Sequence, residues 1–388
     1  MSTVTAFNGF NNVTDPLRLG LNWLARADNI DITDTGAIRK RGGYRKTFPG
    51  AFTGAYSTLD FKRLFVVDGG VLKAMTGLST AVSLLAVPGS APMHFTEVND
   101  QVFFNNGSDR GIILPDNSVL DWDWPTPDTP QLAAVTGRLP AGLYRVCCTF
   151  VLPGGRETGN SDMAEIALGE GQALQITGIP QIDGLATRVY IAPAGSTVFQ
   201  AAGMPTISAM VWNEAPENLG CDLLTDGLSQ LPDQVDVIQF WRGRMYAAQY
   251  FAAADQTAVW FSQPLGFHLF NLSENFILVP GRVTMLAPHD DALVIGSDTR
   301  IHAYDGNTLT PLAPYGVVPG WHWVKDGNRT LFWTARGLCA ALPFANLTDR
   351  QVSVAPGLQA GGVLVERDGR KRYLVALHQG GTAFNSHL

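Results

Sequence analysis

Carboxylates at hairpin turns are the first places in this chain where chemistry is conceivable. Asp68, Asp100, Asp290, Glu366 and Asp368 would be the acids of a glycan-cleaving enzyme if they met at one axis. Glycoside cleavage needs a proton donor and a second carboxylate on either side of one bond. Each of these residues, however, sits at an expected hairpin turn, where Asp is favoured because it hydrogen-bonds its own backbone. His289 with Asp290-Asp291 is the one local cluster among seven scattered histidines. It reads as a solvated hairpin tip, since strong metal sites gather three or four ligands. Cys147, Cys148, Cys221 and Cys339 have no CxxC spacing. The adjacent pair lies in an apolar strand and points to opposite faces, which predicts buried free thiols.

Other motifs are equally spare. Gly154-Gly155-Arg156 and Gly42-Gly43 match neither phosphate-loop pattern and read as turns. No Ser stands in a GxSxG elbow. No catalytic, cofactor-binding or metal site is therefore expected, and the chain is read as a non-enzyme. Two clusters remain as candidate contact surfaces. Tryptophans such as Trp122, Trp241, Trp321, Trp323 and Trp333 could be sugar platforms, though in alternating strands they more often pack sheets together. Arg39, Lys40, Arg41 and Tyr44 form a basic knot suited to a subunit or partner contact.

The elements that must carry these residues are short strands. A hairpin unit, strand then Asp/Asn/Gly turn then strand, appears at Arg63–Met75, Thr96–Asn106 and Val237–Gln249. It returns at Met285–Tyr304, Trp321–Trp333 and Val363–Leu377. Later turn centres fall near residues 243, 290, 327 and 369. That spacing approaches the roughly 40–50 residues of a four-stranded propeller blade. After the stiff spacer Pro125–Pro130 the pattern changes to strands every 8–12 residues, beginning with the apolar run Gly142–Pro153. The expectation is an all-β chain: a β-propeller of about six blades in 1–127 and 229–388, interrupted by an immunoglobulin/fibronectin-III-like β-sandwich in 128–228. Closing such a ring calls for Asn29–Thr33 or Ala37–Tyr44 to complete the sheet that holds Val363–Leu377.

Bulk properties narrow the partners. The 388 residues carry 41 Gly and 23 Pro, as many turns require, and only 16% are charged against 46% hydrophobic. An exterior this poor in charge suits coverage by neighbouring subunits. The net charge of −7 implies no general DNA-binding surface. No signal peptide and no membrane span are read from the sequence, and the thiols fit a reducing cytoplasm until assembly.

The order of short motifs resembles one family. Asn8-Gly9, Asn11-Asn12, Ala25–Thr33 and Arg39–Tyr44 are followed by Ala141–Tyr144, Gly155–Ser161, Ile176–Pro180 and Arg188–Ile191. Arg242–Ala248, Val259–Pro264, Phe276–Pro280 and Arg300–Tyr304 come after them. Together they resemble the tail hub or nozzle (tail accessory factor) proteins of short-tailed bacteriophages. The resemblance implies a virion protein assembled in the host bacterial cytoplasm, forming a ring of copies of itself, expected to be a hexamer. Partners would be the portal-adaptor ring and fibres, spikes or a plug. Genomic DNA would pass through without sequence-specific binding. The alternatives are a propeller glycan hydrolase or lyase, which predicts acids converging on an axis, and a lectin-like adhesion module, which predicts open Trp platforms.

Overall fold

The computed structural model describes residues 4–33, 35–43, 45, 47–50, 52–89, 91–122, 124–367 and 370–379. The chain is all-β: small, mostly antiparallel sheets, a parallel two-strand pair of Gly9–Phe10 with Trp23–Leu24, one 3-10 turn, Pro216–Asn218, and no α-helix among the described residues.

Turn chemistry sets the hairpins. Asn99-Asp100 and Arg242-Gly243 both take positive φ at each central position, as do Gly69-Gly70. That is the geometry whose twist matches flanking strands in two-residue hairpins. Sheet I is built from Phe52–Ser57, Leu64–Asp68, Val71–Met75 and Ala81–Ala86, each paired with the next. Sheet II repeats the plan with His94–Val98, Gln101–Asn105, Arg110–Ile113 and Val119–Leu120. Sheet III runs Val237–Trp241, Arg244–Phe251 and Gln256–Gln263; the far edge of its third strand is shared by Gly266–Phe270 and Phe276–Pro280. Sheet IV is Val283–Pro288, Leu293–Ser297, Ile301–Tyr304 and Leu309–Ala313. Sheet V is Val324–Asp326, Arg329–Thr334, Gly337–Ala341 and Ala345–Asn346. A long terminal hairpin, Gln359–Arg367 with Arg370–His378, follows.

Side-chain alternation stacks these sheets face to face. In Gln101–Asn105, Val102 and Phe104 pack with Phe65, Val67 and Leu72 of sheet I. Phe103 points the other way, towards Ile238, Met245 and Ala247 of sheet III. Val259 of sheet III meets Leu286, Leu293 and Ile295 of sheet IV. Met285, Ala287 and Val294 of sheet IV meet Phe332, Cys339 and Ala341 of sheet V. Trp333 of sheet V then meets Ala360, Tyr373 and Val375 of the terminal hairpin. Five successive apolar interfaces result, and sheets II to V each take part in two of them.

Between sheets II and III the chain makes a separate two-sheet unit. Gln131–Leu139, Gln172–Thr177 and Ala209–Trp212 form one sheet; Ala164–Leu168, Gly142–Val151, Ala186–Ala192 and Gln200–Gly203 form the other. Tyr144, Val146, Cys148 and Val189 share one core with Leu174, Ile176 and Trp212. Cys147 faces away from it, against Tyr190 and Phe199. The unit docks on sheet III through paired backbone bonds between Ser229 and Phe270 and a bond from His268 Nε2 to the Glu157 carbonyl.

The N-terminal residues return to the other end of the chain. Asn12 Nδ2 donates to Ser353 O at 2.7 Å and Ser353 N to Asn12 Oδ1 at 2.8 Å, while Asn12 N reaches Gln351 O. Ile30–Ile32 and Ile38–Lys40 pair with each other as a short hairpin. Completion of the terminal sheet by either strand was expected. Among the described residues the contact is instead a side-chain one, Arg372 to Asp31 at 3.3 Å.

Candidate functional site

Every stacked sheet sends its first strand to one cavity of about 720 Å³. Tyr56, Phe95, Phe240, Pro288, Val324 and Leu364 reach it, one from each of sheets I to V and the terminal hairpin. The beginnings of the same strands, Thr53, His94, Val237, Val283 and Gln359, line two further cavities of about 390 and 210 Å³. The three cavities are therefore lined largely by the same first strands.

Inter-sheet hydrogen bonds hold the large cavity in shape. Thr96 Oγ1 accepts from Phe240 N and from Gln239 Nε2, each at 3.0 Å. Trp241 Nε1 donates to the His289 carbonyl at 2.7 Å. His289 Nε2 donates to Asn328 O at 2.7 Å, and its Nδ1 accepts from Asp291 N. His289 is thus buried between sheets IV and V. The solvated tip expected for it is corrected: its neighbours Asp290 and Asp291 are exposed, but the imidazole itself is a link.

The next sheet boundary is set by Trp321-His322-Trp323. His322 is fully buried; Nδ1 accepts from Trp333 N at 2.9 Å and Nε2 donates to Val318 O at 2.6 Å. Burial pushes its pKa down to about 4, the two hydrogen bonds fixing the neutral tautomer. Tyr373 Oη donates to the His322 carbonyl and Gly362 N to the Trp321 carbonyl. With the imidazole locked inward, both indoles are left lining the cavity, ring centroids 5.6 Å apart.

Charges at the rim are already engaged. Glu97 Oε2 accepts from Leu59 N at 2.8 Å and Tyr56 Oη at 3.3 Å. Burial, reinforced by Glu97, raises the Tyr56 pKa well above an ordinary phenol. Lys325 Nζ lies 3.1 Å from Asp290 Oδ1, and that hydrogen bond, then the charge, holds the Asp290 carboxyl below its usual range. Arg242 stacks over Trp241 at 4.7 Å and donates to the carbonyls of Asp290 and Asp305.

The five carboxylates singled out in the sequence do not gather here. Asp290 lines the cavity. Asp68 pairs with Lys73 at 2.8 Å on sheet I. Asp100 occupies its turn at φ 61°, its carbonyl accepting from Arg63. Glu366 is in the terminal hairpin, and Asp368 lies outside the described residues. Gly154 and Gly155 both take positive φ in a turn closed by Leu152 and Arg156. Cys147, Cys148 and Cys339 are buried and free, and Cys221 is exposed; burial pushes the Cys148 thiol up to about 12. Among the described residues no group of three metal-ligating side chains occurs.

The basic knot sits away from this cavity. Arg39 and Lys40 are exposed on the short N-terminal hairpin, with no ion pair among the described residues. Arg41 lies 3.3 Å from Asp31, the carboxylate that also takes Arg372. Tyr44 lies outside the described residues. Sequence reasoning missed Tyr56, Glu97 and Phe240, which are ordinary strand residues whose convergence depends on the stacking of sheets.

No family model matches the chain, and no curated protein matches it. Among solved structures it is similar to PorZ, described as an essential bacterial surface component of the type-IX secretion system of Porphyromonas gingivalis. That match has 14% identity, 86% of this chain, 46% of the other and a TM-score of 0.23. It is also similar to apo AztD from Citrobacter koseri, with 12% identity, 82% of this chain, 87% of the other and a TM-score of 0.27. The chain spans less than half the length of PorZ. At such TM-scores neither likeness assigns a function or a partner. No helix among the described residues is long and apolar enough to cross a membrane.

Proposed function

We propose that the stacked sheets are the blades of a six-bladed β-propeller, and that the two-sheet unit is an inserted immunoglobulin/fibronectin-III-like sandwich. First strands lining shared cavities support this arrangement. On that scaffold the protein serves as a structural subunit of a short phage tail. Copies close into a ring, with six the expected number, beneath the portal-adaptor, hold and conduct the genome, and dock fibres, spikes or a plug.

The observation that carries the reading is apolar surface left uncovered on the single chain. Val82 on the last strand of sheet I, Leu278 on the last strand of sheet III and Ile38 beside the basic knot are all exposed. So is Val365 on the terminal hairpin. With only 16% charged residues, such a surface is suited to permanent neighbours. The motif order described above supplies the family, and the net charge of −7 suits a conduit along which phosphates slide rather than adhere.

Native mass spectrometry and electron microscopy of the purified protein, mixed with the portal-adaptor ring, test this. Closed rings seated on the adaptor are expected. A protein that stays monomeric beside an intact adaptor would remove the proposal.

A further inference from the structure

The tryptophans divide by what their indole N–H does. Trp122, Trp241, Trp260 and Trp333 donate to Phe267 O, His289 O, Gln249 Oε1 and Pro356 O. They act as struts. Trp321 and Trp323 make no indole hydrogen bond among the described residues, remain partly open, and both line the large cavity. Their rings are tilted 38° to each other with centroids 5.6 Å apart, and Trp323 also packs against the core between sheets IV and V, so the pair presents part of each ring to the cavity. Tyr56 stands edge-on to Trp321 at 6.1 Å and closes one side. Beside this floor lie exposed polar groups with capacity to spare: the Lys325 ammonium, which has three donors, and the Asp290 carboxylate, which meets it through Oδ1.

We propose that this end of the large cavity binds a pyranose oligosaccharide. A pyranose ring presents a C–H face that stacks on an indole, and a girdle of hydroxyls that accept from indole N–H or ammonium and donate to carboxylate. A purely apolar occupant would cover the two indole donors and the rim charges without satisfying them. Glu97 and Asp290 are balanced at the same mouth by Arg242 and Lys325, so the lining favours a neutral, hydroxyl-rich ligand over a strongly charged one. The volume, about 720 Å³, falls within the range that holds drug-sized ligands. His322 is a positioning residue for the site: it touches no ligand, but its two internal hydrogen bonds fix the segment that carries both indoles. The site does not depend on ring assembly and stands whether the chain acts alone or among copies.

The test is titration of the full chain with cellohexaose, maltohexaose and chitohexaose, followed by tryptophan fluorescence and calorimetry. At least one should bind with millimolar affinity or tighter. Trp321→Ala and Trp323→Ala should each weaken that binding by about tenfold. Trp323→Phe keeps an aromatic face but removes the donor; it should fall between, and it serves as the readable variant if alanine disturbs folding. Leu78→Ala, at an exposed turn outside the cavity, should bind as the parent does. Failure of all three hexaoses to bind the folded parent would overturn the proposal, as would unchanged affinity in folded Trp321→Ala and Trp323→Ala. Occupation of the cavity by a partner peptide, with no oligosaccharide competing, would also overturn it.

Discussion

A single imidazole decides the geometry of two indoles. Replacing His322 with Leu would leave the Val318 carbonyl and the Trp333 amide without their buried partner, at about 1–3 kcal/mol for each orphaned group. A lower Tm by calorimetry is the expected outcome. Acid should do part of the same work. The folded-state pKa of about 4 lies below the ordinary 6.5, so the unfolded chain takes up a proton first as pH falls. Stability is full above 6.5 and drains between 6.5 and about 4. His94, His268 and His302 are lowered by burial too and share the sign. In His322→Leu the dependence of Tm on pH over that window should therefore be shallower, not flat; an unchanged slope would count against a neutral His322. This residue was not legible beforehand. A histidine between two tryptophans announces neither its burial nor its partners. His289 misled in the same way, because its acceptor is the Asn328 carbonyl, 39 residues along the chain.

Hairpins, by contrast, could be read from their turns. Asn99-Asp100, Arg242-Gly243 and Gly69-Gly70 carry a local preference for positive φ that needs no tertiary partner. Pairing across sheets is different: the N-terminal hairpin was expected to extend the terminal sheet, yet it meets that sheet through Asp31 and Arg372 alone among the described side-chain pairs. Its charges separate into two roles. Arg39 and Lys40 are exposed and make no ion pair among the described residues, so Arg39→Glu with Lys40→Glu should change monomer stability by no more than about 0.5 kcal/mol. Assembly, followed by native mass spectrometry, should weaken clearly; normal rings would deny the knot a contact role. Arg41 is engaged with Asp31, so its reversal mixes folding with assembly and is the poorer probe. Where the two-sheet unit leaves its core, Gly159 passes so near Leu228 that an added Cβ would lie 1.9 Å from the carbonyl oxygen. Gly159→Ala should cost about 1–3 kcal/mol, visible as an earlier unfolding transition.

The sheets form a stack in which sheets II to V are each held on two sides, with one unit between sheets II and III. Both flanks of that unit land in the same cluster: Trp122 before it, Leu231 and Val235 after it, all against Ile238 and Phe270. Deleting 128–228 should therefore leave the stacked sheets foldable, read as retained β signal in circular dichroism with a cooperative melt. Loss of that signal would mean the splice lies elsewhere. The number of sheets and the spliced unit left marks in the sequence through turn spacing and a change of strand rhythm. Which side chains meet in the shared cavity did not, because no local pattern encodes which face of a strand meets which neighbour. One contact has a further bearing on how the protein is made. Asn12 binds Ser353, 341 positions further along the chain, so residue 12 must wait, unclasped, until residue 353 has been made. Synthesis thus precedes locking, and nascent chains halted before residue 350 should be cut by protease near residue 12, while chains carried past Ser353 and clear of the ribosome resist.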